Sequence, residues 1–440
     1  RVHYNGIDGL SIDADGVLHV QTALGELTDA APVIYQEIDG QRVAVAGQFT
    51  LINANTYSFS ITGSYDASKE LAIDPSLNWS TFIGTSGTDN LFGATIDSQD
   101  RILVTGATTG TNFPSATYYN HGRSDAYVAQ LTNDGVLKWV TWLGGALDDY
   151  GRRVVADSQG NAMVVGITSS TDFAGALNTH HGGQLDEFVA KVDANGALLW
   201  ASYLGGAGED YGLDIALDSQ GNVFTVATSD SVNFAGAVNS FRGGLEDIVM
   251  AKLSNSGTML WATYCGGSGM EEASGIAVGP DDSVWIAGSS SSADLPNATN
   301  SLKGGSFSGD AYYARYNNAG TLMWSTYVGG TADDIGRDIA FDSKGNDLVA
   351  GFTQSPNFAG PNHGGSDGFV AKLTASGSLI WATQIGGSSN EWASSIAVDN
   401  QDNALAVGYT QSTNFSGATN NPCGGSDGFI TKVTSSGNVA

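Results

Sequence analysis

The chain has 440 residues, 41% of them hydrophobic, enough for two or three ordinary domains with real cores. It carries 45 Asp and Glu against 17 Lys and Arg, a formal charge of −28, and such a surface repels phosphate backbones and anionic lipid heads. Nucleic-acid binding and peripheral membrane binding are therefore disfavoured, and no run approaches the eighteen or so apolar residues of a membrane span.

Residues 1–76 alternate as short predicted strands: Val2-His3-Tyr4, Leu10-Ser11-Ile12, Val17 to Val20, Val33 to Gln36, Val43-Ala44-Val45 and Tyr57 to Ser60. Asp15-Gly16 and Asp39-Gly40 supply turns between them, and Pro75 marks a boundary. The reading is a small β-sandwich-like domain.

Beyond it the chain keeps time. Trp79, Trp139, Trp200, Trp261, Trp324 and Trp381 recur 60, 61, 61, 63 and 57 residues apart, each inside a strand-like run. Ten residues after each tryptophan stands an acid: Asp89, Asp149, Asp210, Glu271, Asp334 and Glu391. At plus eighteen come Asp97, Asp157, Asp218, Gly279, Asp342 and Asp399, and at plus thirty-four Phe113, Phe173, Phe234, Leu295, Phe358 and Phe415. A repeat of this length, with glycine turns and four short apolar runs, predicts a β-propeller blade. In the third unit the runs are Asp214 to Asp218, Val223 to Val226, Asp247 to Leu253 and Met259 to Tyr264. Strands alternate direction across such a blade, so the plus-ten acids share a face with the long second-to-third loops, where ligand binding usually lives.

The expected fold class is all-β: a small β-sandwich-like domain over 1–76 and a six-bladed β-propeller of four-stranded blades over 77–440. Six first-to-third strand sets are present, but the chain stops at Gly437 to Ala440, where another tryptophan strand would begin. The spare strand at 77–84 is expected to complete the last blade and close the ring, removing two open sheet edges.

The string Trp200 to Gly206, followed by Asp210-Tyr211-Gly212, Asp218-Ser219-Gln220-Gly221-Asn222 and a later Gly-Gly-x-x-Asp, resembles the bacterial SBBP-type β-propeller repeat over all six units. Pro32 to Gly40 and Leu71 to Pro75 look like the second half of an uncharacterised β-domain that often precedes such repeats. The resemblance implies large secreted or surface-attached bacterial proteins, with adhesion or sorting modules elsewhere and no established catalytic residues. Low lysine and abundant Ser, Thr and Asn agree with an extracellular setting. The fourth unit departs from the pattern at Gly279-Pro280 and Leu295, so a sixfold property is expected to break there.

Two readings of the plus-ten acids compete. As a ring on the long-loop face, Asp89, Asp149, Asp210, Glu271, Asp334 and Glu391 offer hard oxygen ligands to Ca²⁺. As turn residues, each caps backbone amides within its own repeat. Asp125, Asp186, Asp247, Asp310, Asp367 and Asp427 open every third strand; six identical copies argue for architecture, because catalysis needs unlike groups converging on one centre. No Ser-His-Asp order, phosphate loop or zinc spacing appears, and Cys265 and Cys423 are not expected to pair. The functional expectation is a non-catalytic extracellular scaffold that self-assembles as a surface-layer or filament subunit, its partners other copies of itself or cell-surface proteins and glycans, with no cofactor beyond Ca²⁺ at the plus-ten acids on their first reading; the alternative is a glycan-binding or glycan-hydrolysing propeller acting through the long-loop face.

Overall fold

A computed structural model describes the chain apart from residues 1, 5–6, 15, 23–24, 30, 39–40, 70, 74–80, 114–122, 305–308, 359, 361–362, 416–417, 419–424 and 440. It divides into two compact units, Arg1–Phe82 and Ile83–Ala440.

Unit one contains three three-stranded sheets among its described residues. Gly9–Ile12, Leu18–Thr22 and Gly25–Asp29 form one; Val2–His3, Thr56–Ile61 and Gly47–Asn53 form another; Gln41–Ala44, Ile34–Ile38 and Ala72–Ile73 form the third. Leu18, Val20, Phe49 and Tyr57 make the core, with Phe49 and Tyr57 edge to face at 5.3 Å. Buried Gln36 ties a loop down: its amide donates to the Asp66 carbonyl and accepts the Asp66 N–H, both at 2.7 Å. Each predicted strand overlaps an observed one, while Gly25–Asp29, Gly47–Asn53 and Ala72–Ile73 were not foreseen. Of the predicted turns, Gly16 sits at φ 81°, where glycine is favoured; Asp39-Gly40 lies outside the described residues.

Unit two is a run of six β-propeller blades, each an antiparallel sheet with its strands in sequence order. Blade 2 is typical: Asp149–Ala156, Ala162–Thr168, Asp186–Val192 and Leu198–Leu204. The Asp157-Ser-Gln-Gly-Asn161 turn joins its first two strands, with Gly160 at φ 76°. Successive blades pack through their first strands, from Asp89–Ile96 against Asp149–Ala156 through to Asp334–Phe341 against Glu391–Val398. The cores lie between blades. Val165 and Val189 of blade 2, for example, share a cluster with Ile215, Val223 and Val249 of blade 3.

The tryptophans fasten these joints. Trp200 in the fourth strand of blade 2 lies over the third-to-fourth turn of blade 3, where its Nε1–H donates to the Asn255 carbonyl at 3.3 Å. A methyl on Gly257 of that turn would come within 2.7 Å of the ring, and its φ of 84° also favours glycine. Trp139 on Gly196, Trp261 on Gly320, Trp324 on Gly377 and Trp381 on Gly437 repeat the arrangement.

The long loops do structural work that the sequence did not disclose. In blade 2 the loop after the second strand runs beside the outer edge strand, with Leu177 N–H donating to the Ala201 carbonyl at 2.8 Å and Ala201 N–H to the Gly175 carbonyl at 3.0 Å. Asn178 then brackets the Tyr203 backbone, donating to its carbonyl and accepting its N–H at 2.8 Å each. Asn239 does the same for Tyr264 in blade 3. An open edge is covered by backbone of the same blade.

Five sheets have four strands and the sixth has three: Glu391–Val398, Ala404–Thr410 and Asp427–Val433. The closing strand expected at 77–84 does not stand beside it among the described residues. Residues 77–80 lie outside them, 81–84 carry no strand, and Val439 bridges Val433 antiparallel, in the register where Leu198 meets Val192 in blade 2. Ile83 instead packs on the blade 1 core of Val104, Tyr127 and Trp142, the place that Leu204 takes on blade 3.

Candidate functional site: the acidic joints between blades

Each plus-ten acid begins a first strand and bonds the turn four residues earlier. Asp210 Oδ2 accepts Gly206 N–H at 2.8 Å and the Ser231 hydroxyl at 2.9 Å, while Ser229 donates to Oδ1. Asp149 accepts from Gly145 N–H and Ser170, Asp334 from Gly330 N–H and Ser355. Glu271 accepts Gly267 N–H with Ser290 and Ser292, and Glu391 accepts Gly387 N–H with Thr410. Asp89 accepts the Thr85 N–H at 2.9 Å and the Thr85 hydroxyl at 3.0 Å. Asp149, Asp210, Glu271, Asp334 and Glu391 are fully buried; Asp89, on the first blade, is half-buried. The structure places each acid in its own blade rather than bringing the six together, and among the described residues no three His, Cys, Asp or Glu side chains gather closely enough to hold a metal ion.

It does bring two carboxylates together at each joint. The plus-ten acid of one blade meets the third-strand acid of the blade before: the Asp210 N–H donates to the Leu185 carbonyl at 2.9 Å, next to Asp186. Asp186 Oδ2 accepts the His181 N–H at 2.6 Å, whereas its Oδ1 is buried without a hydrogen-bond partner and points toward Asp210. A methyl on Gly205 would lie 2.6 Å from Asp210 Oδ2 and 3.0 Å from Asp186 Oδ1, so the glycine leaves the room in which both carboxylates converge. Gly386 plays the same part, 2.5 Å from both Asp367 Oδ1 and Glu391 Oε2. Asp247 stands with Glu271 and Asp310 with Asp334.

Burial raises these acids. Asp149, Asp186, Asp247 and Asp310 are pushed up to about 7, first by desolvation and then, against their amide bonds, by the neighbouring carboxylate. Asp210, Asp334 and Asp367 are also raised, chiefly by desolvation. Glu187, fully buried beside Asp186 and Asp210, is pushed up to about 8. At such joints burial and the neighbouring carboxylate both favour the neutral form of the raised acid.

The opposite rim uses aspartate differently. Asp157 Oδ1 accepts the N–H groups of Gln159 and Asn161, both at 2.9 Å, and Oδ2 meets Lys191 at 3.0 Å. Lys252 with Asp218 at 3.1 Å, Lys372 with Asp342 at 2.7 Å and Lys432 with Asp399 at 2.8 Å repeat the pair. Hydrogen bonds and the ammonium hold Asp157, Asp218, Asp342 and Asp399 below the usual carboxylate range. Blade 4 breaks the pattern, as the sequence predicted. Gly279 replaces the aspartate, and a methyl there would sit 2.5 Å from Trp285. Arg315 stands where the lysine would be, 4.4 Å over the Trp285 ring, and pairs with Asp281 at 2.6 Å. These lysines were missed in the sequence, although each stands sixth in its third strand, a spacing that could have revealed them.

Other candidates do not converge. His181 and His363 lie on different blades and His121 lies outside the described residues. Cys265 is buried and unpaired. A cleft of about 140 Å³ beside Arg242, Tyr264 and Pro296 is smaller than the roughly 300–1,000 Å³ of ordinary ligand pockets.

With that geometry in view, the chain is a protein of SBBP β-propeller repeats preceded by a DUF7948 domain. Residues 199–235, 324–359 and 380–416 match the family described as β-propeller repeat (SBBP), and residues 1–76 match the domain of unknown function (DUF7948). Among curated relatives, an uncharacterised WD repeat-containing protein of Acanthamoeba polyphaga mimivirus is 21% identical over 423 residues, covering 75% of this chain and 30% of that protein. The regulatory protein FlaEY of Caulobacter vibrioides is 26% identical over 315 residues, covering 64% of this chain and 32% of that protein. The chain thus spans about a third of the length of these relatives. Among solved structures, it is similar to a catalytically inactive virginiamycin B lyase from Staphylococcus aureus, with 11% identity, TM-score 0.43 and coverage of 82% and 86%. A Dyadobacter fermentans protein of unknown function matches at 13% identity and TM-score 0.42, covering 79% of this chain and 96% of that one.

Proposed function

We propose that this protein is an extracellular, non-catalytic scaffold of bacterial origin that works by assembling with other copies of itself, as a subunit of a surface layer or filament. The observation that carries this reading is the uniformity of the blade joints. In blades 2 to 5 the plus-ten acid and the third-strand acid are both bonded inward to turn amides, and in blades 2, 3 and 5 a third-strand lysine pairs with the aspartate of its own blade. In blades 2 to 4 the long loops, where a propeller usually builds its binding site, are laid along the outer edge strands instead. Unlike groups converging on one centre are what turnover requires, and the repeat supplies like groups in series. The acidic surface keeps such a chain soluble until its specific contacts form.

The test is a turnover screen against plant, fungal and bacterial polysaccharides, run beside light scattering over a range of protein concentrations. Association without turnover is expected. A monomer that hydrolyses a glycan overturns the scaffold reading in favour of the glycan-directed alternative.

A further inference from the structure

The joint between blades 3 and 4 lacks three clasps that fasten its neighbours. At the other four joints the indole N–H of the fourth-strand tryptophan bonds a turn carbonyl of the next blade: Trp139 to Ala194, Trp200 to Asn255, Trp324 to Ala375 and Trp381 to Ser435, at 3.2, 3.3, 2.9 and 3.3 Å. Trp261 lies over Gly320 but, among the described residues, has no such acceptor. Two residues after the tryptophan a hydroxyl holds the turn glycine, Thr141 on the Gly196 carbonyl at 2.5 Å, Ser202 on Gly257 at 2.9 Å and Thr383 on Gly437 at 2.5 Å, while Thr299 reaches Gly377 at 3.3 Å. Thr263 turns instead to the Tyr264 carbonyl at 3.4 Å. The third clasp comes from the long loop. Ala174 and Ala235 donate their N–H groups to the Gly144 and Gly205 carbonyls of the preceding blade, at 3.2 and 2.8 Å. Blade 4 has Pro296 in that place, with no N–H to give Gly266.

Where the clasps are missing, the cleft of about 140 Å³ opens between Met259–Cys265 of blade 3 and the loop and third-to-fourth turn of blade 4. Its lining brings unlike groups together, Arg242, Thr263 and Tyr316 beside Gly266, Pro296 and Leu322. Tyr316 puts a hydroxyl where the other third strands end in Leu131, Val192, Leu253, Leu373 and Val433. Arg101, Arg153 and Arg315 each reach a carboxylate, whereas the Arg242 guanidinium, among the described residues, pairs with none. We propose that this cleft binds a small carboxylate with a short apolar tail, the acid group held by Arg242 and the tail laid against Pro296 and Leu322. A guanidinium presents paired N–H groups that match the two oxygens of a carboxylate. The volume is below the roughly 300–1,000 Å³ that drug-sized ligands need but close to the roughly 150 Å³ that admits one benzene. A surface of net charge −28 repels anions, so the charge of Arg242 and burial of the tail are both required. The site stands apart from the scaffold reading and needs no assembly.

The experiment is saturation-transfer NMR and calorimetry on the full 440-residue chain with sodium butyrate between about 0.1 and 20 mM, a span that brackets millimolar dissociation constants. Butyrate is expected to bind and its neutral counterpart butyramide is not. Affinity should rise from acetate to butyrate by about fourfold for each methylene that enters the cleft. Arg242→Gln, at an exposed position, should weaken butyrate about tenfold or more, the loss of one charge-assisted pair, with unchanged circular dichroism. Pro296→Ala gives blade 4 the alanine that blades 2 and 3 carry, and with it an N–H for the Gly266 carbonyl, so the cleft should close and binding fall while the fold is kept. N-Acetylvaline separates two sources of the same chemistry: its binding marks the end of a polypeptide as a ligand, its exclusion a free acid, and either fits the site. No butyrate binding, equal binding by Arg242→Gln, or undiminished binding by Pro296→Ala overturns the proposal. None of these results bears on self-assembly or glycan turnover, which test the scaffold reading by themselves.

Discussion

The two rims of each blade spend the same residue, aspartate, in opposite ways. On the short-turn rim Asp157, Asp218, Asp342 and Asp399 are ionised partners of a lysine and of turn amides. On the other rim Asp186 with Asp210, and Asp367 with Glu391, are buried against each other across a glycine, with no cation as the main partner. His180 Nδ1, 3.6 Å from Asp186, is itself held below the usual histidine range by burial. The difference teaches that an aspartate's charge state here is set by whether a third-strand lysine or a neighbouring blade's carboxylate reaches it.

The largest effect should come from the tryptophan latch beside the lysine rim. Trp200→Ala should cost roughly 3–5 kcal/mol, the usual range for an aromatic removed from a core. Chemical denaturation would measure it, and an unchanged midpoint would show that the blade joint does not depend on the indole.

Next comes the ionised rim itself. Lys252→Met strips the main cation from buried Asp218, which keeps its bonds from turn amides, Asn222 and Asn318. Breaking a buried pair from one side should cost about 3 kcal/mol. Lys432→Met, at the half-exposed pair of blade 6, should cost much less, and equal losses would erase the distinction between buried and open pairs.

The pH dependence sharpens the comparison. The paired acids are raised in the folded state, so folding retains protons that the unfolded chain releases above its ordinary carboxylate range. Their contribution is fully present near pH 4 and is lost as pH rises through about 7. The lysine-bonded acids are depressed, so theirs is present above pH 4 and lost on further acidification. Calorimetric melting should therefore be highest near pH 4–5 and fall toward pH 8. Asp247→Asn should flatten the fall, whereas a melting temperature rising from pH 5 to 8 would contradict raised acids at the joints.

The smallest expected effect concerns calcium. Because the plus-ten acids are already bonded to amides and hydroxyls, millimolar Ca²⁺ should leave the melting temperature unchanged. A shift of several degrees would assign the acidic rim to the ion.

The sequence alone determined the blade. Tryptophan spacing, alternating apolar runs and glycine turns are local patterns, and each is tied to a strand or turn by the period of the backbone. It also placed the break at Gly279, since one altered residue in an aligned column is visible without coordinates. Of the candidate site, the residues were legible and their relations were not. Asp186 and Asp210 stand 24 positions apart and belong to different blades, so only packing shows that they meet. The same holds for Lys252 on Asp218, for Trp200 over Gly257, and for the loop that covers its own blade's edge.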